Sequence, residues 1–256
     1  MILNGKIAVV YGAGGRIGGA VARGFAAEGA TVFLAGRTLA KLQQVAAEIA
    51  AAGGTAELAQ VDALDPGAVE RHLDEVIARA GGVDISFNAV WIRGELQGTP
   101  LREMKLEDFT TPLVTAATTH FLTATAAARR MVQRGAGVVL TLSSSASGLS
   151  GRDRVYHKTG GFGVACAAIE ELTRSLAGEL GPFGVRVVCL RPDAIPETWP
   201  VEHQTGPVRA YMDQGTVLGR LPTLRQVADA AVFAASDRAG ALTGAIVNLT
   251  CGSLMD

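Results

Sequence analysis

Cysteine is scarce in this chain: 256 residues include three, Cys166, Cys189 and Cys251. They lie far apart, with no Cys-x-x-Cys spacing and no even-numbered framework, so neither a disulfide scaffold nor a zinc site is expected. A reducing cytoplasm is the expected compartment. An excess of charge of one sign is also missing. Charged residues make up 18% of the chain and the formal net charge is −1, which leaves no bulk attraction toward nucleic acid or acidic lipid. Long apolar runs are absent too. No stretch approaches the roughly 20 residues of a membrane span, and MILNGKIAVV at the N-terminus passes at once into a strand-like run, so a soluble chain is expected. No internal repeat appears. What is present is a chain 48% hydrophobic, of a length that one α/β core accommodates, so a single domain over residues 1–256 and small-molecule chemistry are the expectations.

Short β-branched runs alternate with longer helical patterns, the signature of repeated βαβ units around a parallel sheet. The runs predict strands at Lys6–Tyr11, Thr31–Ala35, Thr55–Gln60, Asp84–Asn88, Gly137–Leu142, Val185–Leu190 and Ala245–Leu249. Each is mostly apolar, as strands covered by helices on both faces must be. Helices are predicted at Arg16–Glu28, Leu39–Ala52, Pro66–Ala80, Leu106–Arg134, Phe162–Leu180 and Leu224–Ala235. Glycines at 29, 53, 81, 135 and 181 read as left-handed helix stops. The fold expected is a doubly wound, Rossmann-type, seven-stranded parallel sheet in three layers. Two segments break the alternation, Ser143–Gly161 and Asp193–Pro222. Both follow strand C-termini, where open α/β sheets bind ligands, so both are candidate walls of a site.

The first chemical motif is Tyr11-Gly12-Ala13-Gly14-Gly15-Arg16-Ile17-Gly18, directly after the first strand and before a helix. Glycines there let backbone amides approach a pyrophosphate, and the helix N-terminus adds partial positive charge. A tight turn alone also wants glycine, and the strand–turn–helix context favours binding. The second strand ends in Leu34-Ala35-Gly36-Arg37-Thr38, without the acid that would hold a ribose 2′-hydroxyl. Arg37, with Arg16 nearby, offers a guanidinium fork to a 2′-phosphate instead, so NADP(H) is expected in preference to NAD(H). Otherwise Arg37 is a solvated residue at a helix start.

Further residues carry a resemblance over nearly the whole length: Val61-Asp62-Ala63, Asn88-Ala89, Leu142-Ser143-Ser144, Glu171-Leu172-Thr173-Arg174-Ser175-Leu176-Ala177, Leu218-Gly219-Arg220-Leu221-Pro222 and Leu242-Thr243-Gly244. With the glycine turn, these make the chain resemble the short-chain dehydrogenase/reductase family. The resemblance implies that Asp62, with Ala63, contacts the adenine, that Asn88-Ala89 borders the cofactor, and that Pro192 and Thr198 lie by its nicotinamide end. It also implies a homo-oligomer, a tetramer, built through the long helix and Phe162–Leu180. Without the family context, Asp62 and Asn88 read as polar residues capping loops.

The departures from the family pattern are specific. Arg16 stands for the second motif glycine, and Val90 for the glycine after Asn88-Ala89. By alignment the catalytic asparagine falls on Ala116, the tyrosine on Phe162, the lysine on Cys166, and Asp193 replaces the glycine of Pro-Gly. Ser144 alone survives of the catalytic set. It is expected either to bind a substrate oxygen or to cap a strand end. Phenylalanine has no exchangeable proton, and Cys166 on a sheet-facing helix reads as an inert hydrophobe. The Ser143–Gly161 loop carries Arg152, Asp153, Arg154, Tyr156, His157 and Lys158, so Tyr156 or His157 is a candidate replacement acid, His157 foremost because imidazole titrates near neutrality. The bland alternative is a solvated charged loop. Three functions stay open: an oxidoreductase acting on a small carbonyl or activated alkene, a catalytically silent nucleotide-binding protein, and a non-redox enzyme of elimination or dehalogenation.

Overall fold

Aliphatic runs without polar alternation bury both faces only in a sheet covered on both sides, and the computed structural model, which describes residues 1–149 and 157–255, has that form. In chain order the elements are β1 (Ile7–Tyr11), α1 (Arg16–Ala27), β2 (Thr31–Gly36), α2 (Leu39–Ala51), β3 (Thr55–Gln60), α3 (Pro66–Ala80), β4 (Ile85–Asn88) and α4 (Leu106–Arg134). Then follow β5 (Gly137–Leu142), α5 (Ala146–Leu149), α6 (Gly160–Leu180), β6 (Val185–Pro192), α7 (Pro207–Gln214), α8 (Leu224–Ala235) and β7 (Ile246–Leu249).

The seven strands pair in parallel in the order β3-β2-β1-β4-β5-β6-β7. Alternate residues of β1 go to opposite cores, as a period of two requires. Ala8 and Val10 meet Val21, Phe25 and Ala231 of α1 and α8, whereas Val9 and Tyr11 meet Leu73, Ala124 and Met131 of α3 and α4. Strand order reverses between β1 and β4, where Val10 pairs with Leu34 on one side and Phe87 on the other. Connections leave that point in opposite directions, so a crevice opens at the strands' C-terminal ends. Side chains mark two helix starts beside it. Asp65 accepts the amides of Gly67 and Ala68 at the head of α3, and Thr223 with Gln226 closes a reciprocal capping box on α8.

Five expectations need correction. Gly181 does not end α6 in the left-handed region: its φ is −53°, the chain continues as a short 3-10 turn, and Gly184 takes the positive φ of 75°. The helix begins at Gly160, two residues before Phe162. The Ser143–Gly161 wall contains the short helix α5, closed by amide bonds from Ser147 to Ser144 and from Leu149 to Ser145. The Asp193–Pro222 wall likewise contains α7, and β6 extends to Pro192.

The core also holds two histidines. His72 packs edge-on to the Tyr11 ring at 5.7 Å, and His120 is buried with Nδ1 3.0 Å from the Ala116 carbonyl. Burial lowers both pKa values to about 4. Unfolded, each binds a proton near pH 6.5, so between about 6.5 and 4 the unfolded chain binds more protons and stability falls as pH falls. Urea unfolding at pH 7 and pH 5 is expected to show a loss of about 2 kcal/mol per buried histidine. His120→Leu should remove about half of that loss, and equal stability at the two pH values would contradict the assignment.

Candidate functional site

The glycine turn is built by close backbone approach. A Cβ on Gly12 would stand 2.5 Å from the Ala89 carbonyl oxygen, and one on Gly18 would stand 2.3 Å from that of Gly12. Neither position admits a side chain. Gly15 is the N-cap of α1 and supplies no side-chain cap, and no acid stands in the first turn. The leading amides of a helix lack intrahelical acceptors, so those of Arg16, Ile17 and Gly18 suit an anion. Of the turn, Ile17 lines a cavity, and Ala89 and Val90 line it from the end of β4. These features fit a dinucleotide diphosphate.

Around the turn, Arg16 and Arg37 are exposed, and neither side chain forms a hydrogen bond or ion pair among the described residues. A third cation was not anticipated: a Cβ on Gly14 would stand 2.9 Å from Cβ of Lys41, whose stem overlies the turn. Asp62 is exposed and accepts the Leu64 amide at 3.0 Å, beside buried Ala63. Asn88 is buried and spends its side chain internally, donating to Thr123 at 3.0 Å and accepting the Val90 amide at 2.9 Å. It shapes the turn, and Ala89 presents the surface.

The cavity measures about 660 Å³ and runs from Ile17 and Ala89 to Ser144, His157, Phe162, Cys166, Pro192 and Thr198. Ser144, His157, Phe162 and Cys166 thus share one compartment. Tyr156, Arg152, Asp153 and Arg154 lie outside the described residues. The Ser144 hydroxyl oxygen lies 3.4 Å from the Ala146 amide, a long contact that leaves its proton available. Thr198 donates its hydroxyl to the Ile195 carbonyl at 2.7 Å. Cys166 packs with Ala116, Ile169 and Cys189, and burial pushes its thiol pKa up, so little reactive thiolate forms.

Of two buried carboxylates, sequence reasoning missed Glu170 and gave Asp193 no partners. Glu170, one turn beyond Cys166, accepts hydroxyl bonds from Ser143 at 2.9 Å and Ser147 at 2.7 Å and pairs with Arg191 of β6 at 3.5 Å. Asp193 lines the cavity and accepts from Ser145 at 2.9 Å, from the Ala194 amide at 2.7 Å and from Ser253. Signals for both existed. Glu170 interrupts a largely apolar helix face, and Asp193 directly follows the strand-ending Pro192. Asp193 and His157 also line a smaller adjoining cavity of about 160 Å³, with Tyr211.

A doubly wound parallel sheet whose switch-point crevice opens from an uncapped glycine turn defines a dinucleotide-binding α/β protein. The chain belongs to the short-chain dehydrogenase/reductase family. Residues 12–253 match the family model described as enoyl-(acyl carrier protein) reductase. An uncharacterized oxidoreductase of Mycobacterium tuberculosis is 32% identical over 251 residues, covering 98% of this chain and 92% of that protein. A short-chain type dehydrogenase/reductase from Mycobacterium marinum superposes with a TM-score of 0.87 at 32% identity, covering 99% of this chain and 97% of that one. A 7α-hydroxysteroid dehydrogenase complexed with NADH and an oxo-bile acid superposes with a TM-score of 0.85 at 28% identity, covering 99% and 96%. The family's members are dehydrogenases and reductases that bind a nicotinamide cofactor. No helix among the described residues is long and apolar enough to cross a membrane.

Proposed function

We propose that the chain is an NADP(H)-dependent oxidoreductase of a small carbonyl or an activated alkene, with a replaced proton donor. One observation carries the reading: the cavity that begins at Ile17 of the glycine turn is also lined by Ser144, His157 and Phe162. The bound dinucleotide supplies the hydride. The chain's residues do the rest. Gly12, Gly14, Gly15 and the leading amides of α1 hold the diphosphate, Arg37 with Arg16 and Lys41 meets the 2′-phosphate, Asp62 and Ala63 border the adenine, and Asn88, Ala89, Pro192 and Thr198 frame the nicotinamide side. Ser144 holds the substrate oxygen. His157, or Tyr156 in the same loop, delivers the proton that Phe162 cannot. In a conjugated alkene the proton goes to carbon, so less direct oxygen protonation is needed, and the family model's enoyl reductase description supports that branch. The silent nucleotide-binding reading draws on the apolar packing of Phe162 and Cys166. The assembly belongs to the same proposal: Val114, Phe121 and Val164 are exposed on α4 and α6, as a homo-oligomer through those helices requires. A monodisperse monomer by light scattering at micromolar concentration would count against it.

For the cofactor, NADPH is expected to bind roughly tenfold or more tighter than NADH, and Arg37→Asp to erase the preference by removing charge-assisted bonds. Equal wild-type affinities by calorimetry would sink the assignment. For the acid, His157→Ala or Tyr156→Phe should lower the maximal rate by roughly a hundredfold to ten-thousandfold while NADPH affinity changes little. Phe162→Tyr combined with Cys166→Lys should raise simple ketone reduction. If the wild type oxidises no NADPH across a carbonyl and enone screen, the silent reading wins.

A further inference from the structure

Trp91 stands 62% exposed at the cavity mouth, a large apolar ring in water that is nevertheless held in place. Its indole N–H donates to Oε2 of Glu95 at 2.8 Å, and Arg93 donates to the other oxygen of the same carboxylate. Arg93 takes a left-handed conformation, with φ 63° and ψ 47°, which is uncommon for a side chain other than glycine, and this turn brings its guanidinium back onto Glu95. Although partial burial opposes ionisation, hydrogen bonds from its own backbone, Arg93 and Trp91 hold the Glu95 carboxyl below its ordinary pKa. The next residue completes the arrangement. A Cβ on Gly94 would stand 3.1 Å from Cη2 of Trp91 and 3.3 Å from Cε2 of Phe162, so the edges of the two rings approach one point and a side chain there would press on both. The segment is tied down at its far end by the Gly98 amide, which donates to the Lys158 carbonyl at 2.9 Å.

The charge at this mouth also limits what enters. The acids among the described lining residues are Glu95 and Asp193, each already engaged by donors, and no lysine or arginine stands among those residues. The described lining therefore offers an anionic group no lysine or arginine. Ile92, Leu149, Trp199 and Pro200 supply the remaining apolar wall. From this we infer that Trp91 and Phe162 form a clamp for a flat, uncharged ring of the substrate, with Glu95 as the residue that positions the indole. The clamp rests on the reading of this cavity as the substrate compartment, and it names the chemical class that compartment selects: aromatic or conjugated cyclic ketones in preference to saturated rings or carboxylates.

Binding without turnover tests it. With the full chain saturated in NADP⁺ and also without it, ligand-observed NMR titrations of 1-indanone, 1-decalone and 1-naphthoate should rank the flat neutral ketone roughly fivefold or more ahead of the other two, the scale of an aromatic pair. Trp91→Ala and Gly94→Val should abolish the ranking, and Trp91→Phe should keep most of it. Glu95→Ala should reduce it while releasing the indole, read as lower Trp91 emission anisotropy in a Trp199→Phe background. Equal affinities in the wild type, or a ranking that survives Trp91→Ala, would overturn the clamp. Because no catalysis is measured, a chain that binds 1-indanone selectively but never oxidises NADPH refutes the oxidoreductase reading alone, and an active enzyme without the ranking refutes the clamp alone.

Discussion

A carboxylate sealed from water is tolerated only where donors converge on it, and Glu170 imposes that condition on the C-terminal edge of the sheet. Its partners come from three places: Arg191 from β6, Ser143 from the end of β5, and Ser147 from α5. Removing one partner of such a buried pair costs about 3–5 kcal/mol, a large share of a typical domain's whole stability. The positions of β5, β6, α5 and α6 are therefore coupled through one side chain. Asp193 repeats the device a step closer to the cavity, joining Ser145 to Ser253.

This arrangement places a buried ion pair in the layer beneath the cavity wall. Phe162 and Cys166 line the cavity with carbon and with a thiol whose ionisation burial opposes. The charged groups on the same helix and strand, Glu170 and Arg191, face each other out of contact with water. The polar groups that line the same cavity, among them Ser144, His157 and Thr198, come from the segments that connect the strands to the helices.

Much of the fold is legible from the chain alone because every strand of a doubly covered sheet is an apolar run, and the observed strands depart from the expected ones by at most two residues at an end. The glycine turn is legible for a different reason: backbone contacts such as Gly18 against Gly12 leave no alternative residue. The misses have physical causes. Gly181 and Gly184 both follow α6, and which of them takes the positive φ depends on how the chain re-enters β6. The residues Ala-Ser-Gly-Leu have weak helical preference, and α5 forms because its amides and the Ser147 hydroxyl find acceptors in the assembled fold. Glu170, Arg191 and Asp193 look like solvated residues until strands more than forty positions apart from Ser143 in the chain are laid side by side.

The link between Ser253 and Asp193 gives the segment after β7 an unusual standing. The Leu254 amide contacts the Thr250 hydroxyl, and the Leu254 carbonyl accepts from Asn248. This fold-back holds Ser253 beside the cavity. Residues that follow the last strand of a sheet are ordinarily poorly ordered unless something ties them down. Here a serine beyond the last strand donates to an acid that lines the ligand compartment, so the shape of that wall depends on a segment sixty positions away in the chain.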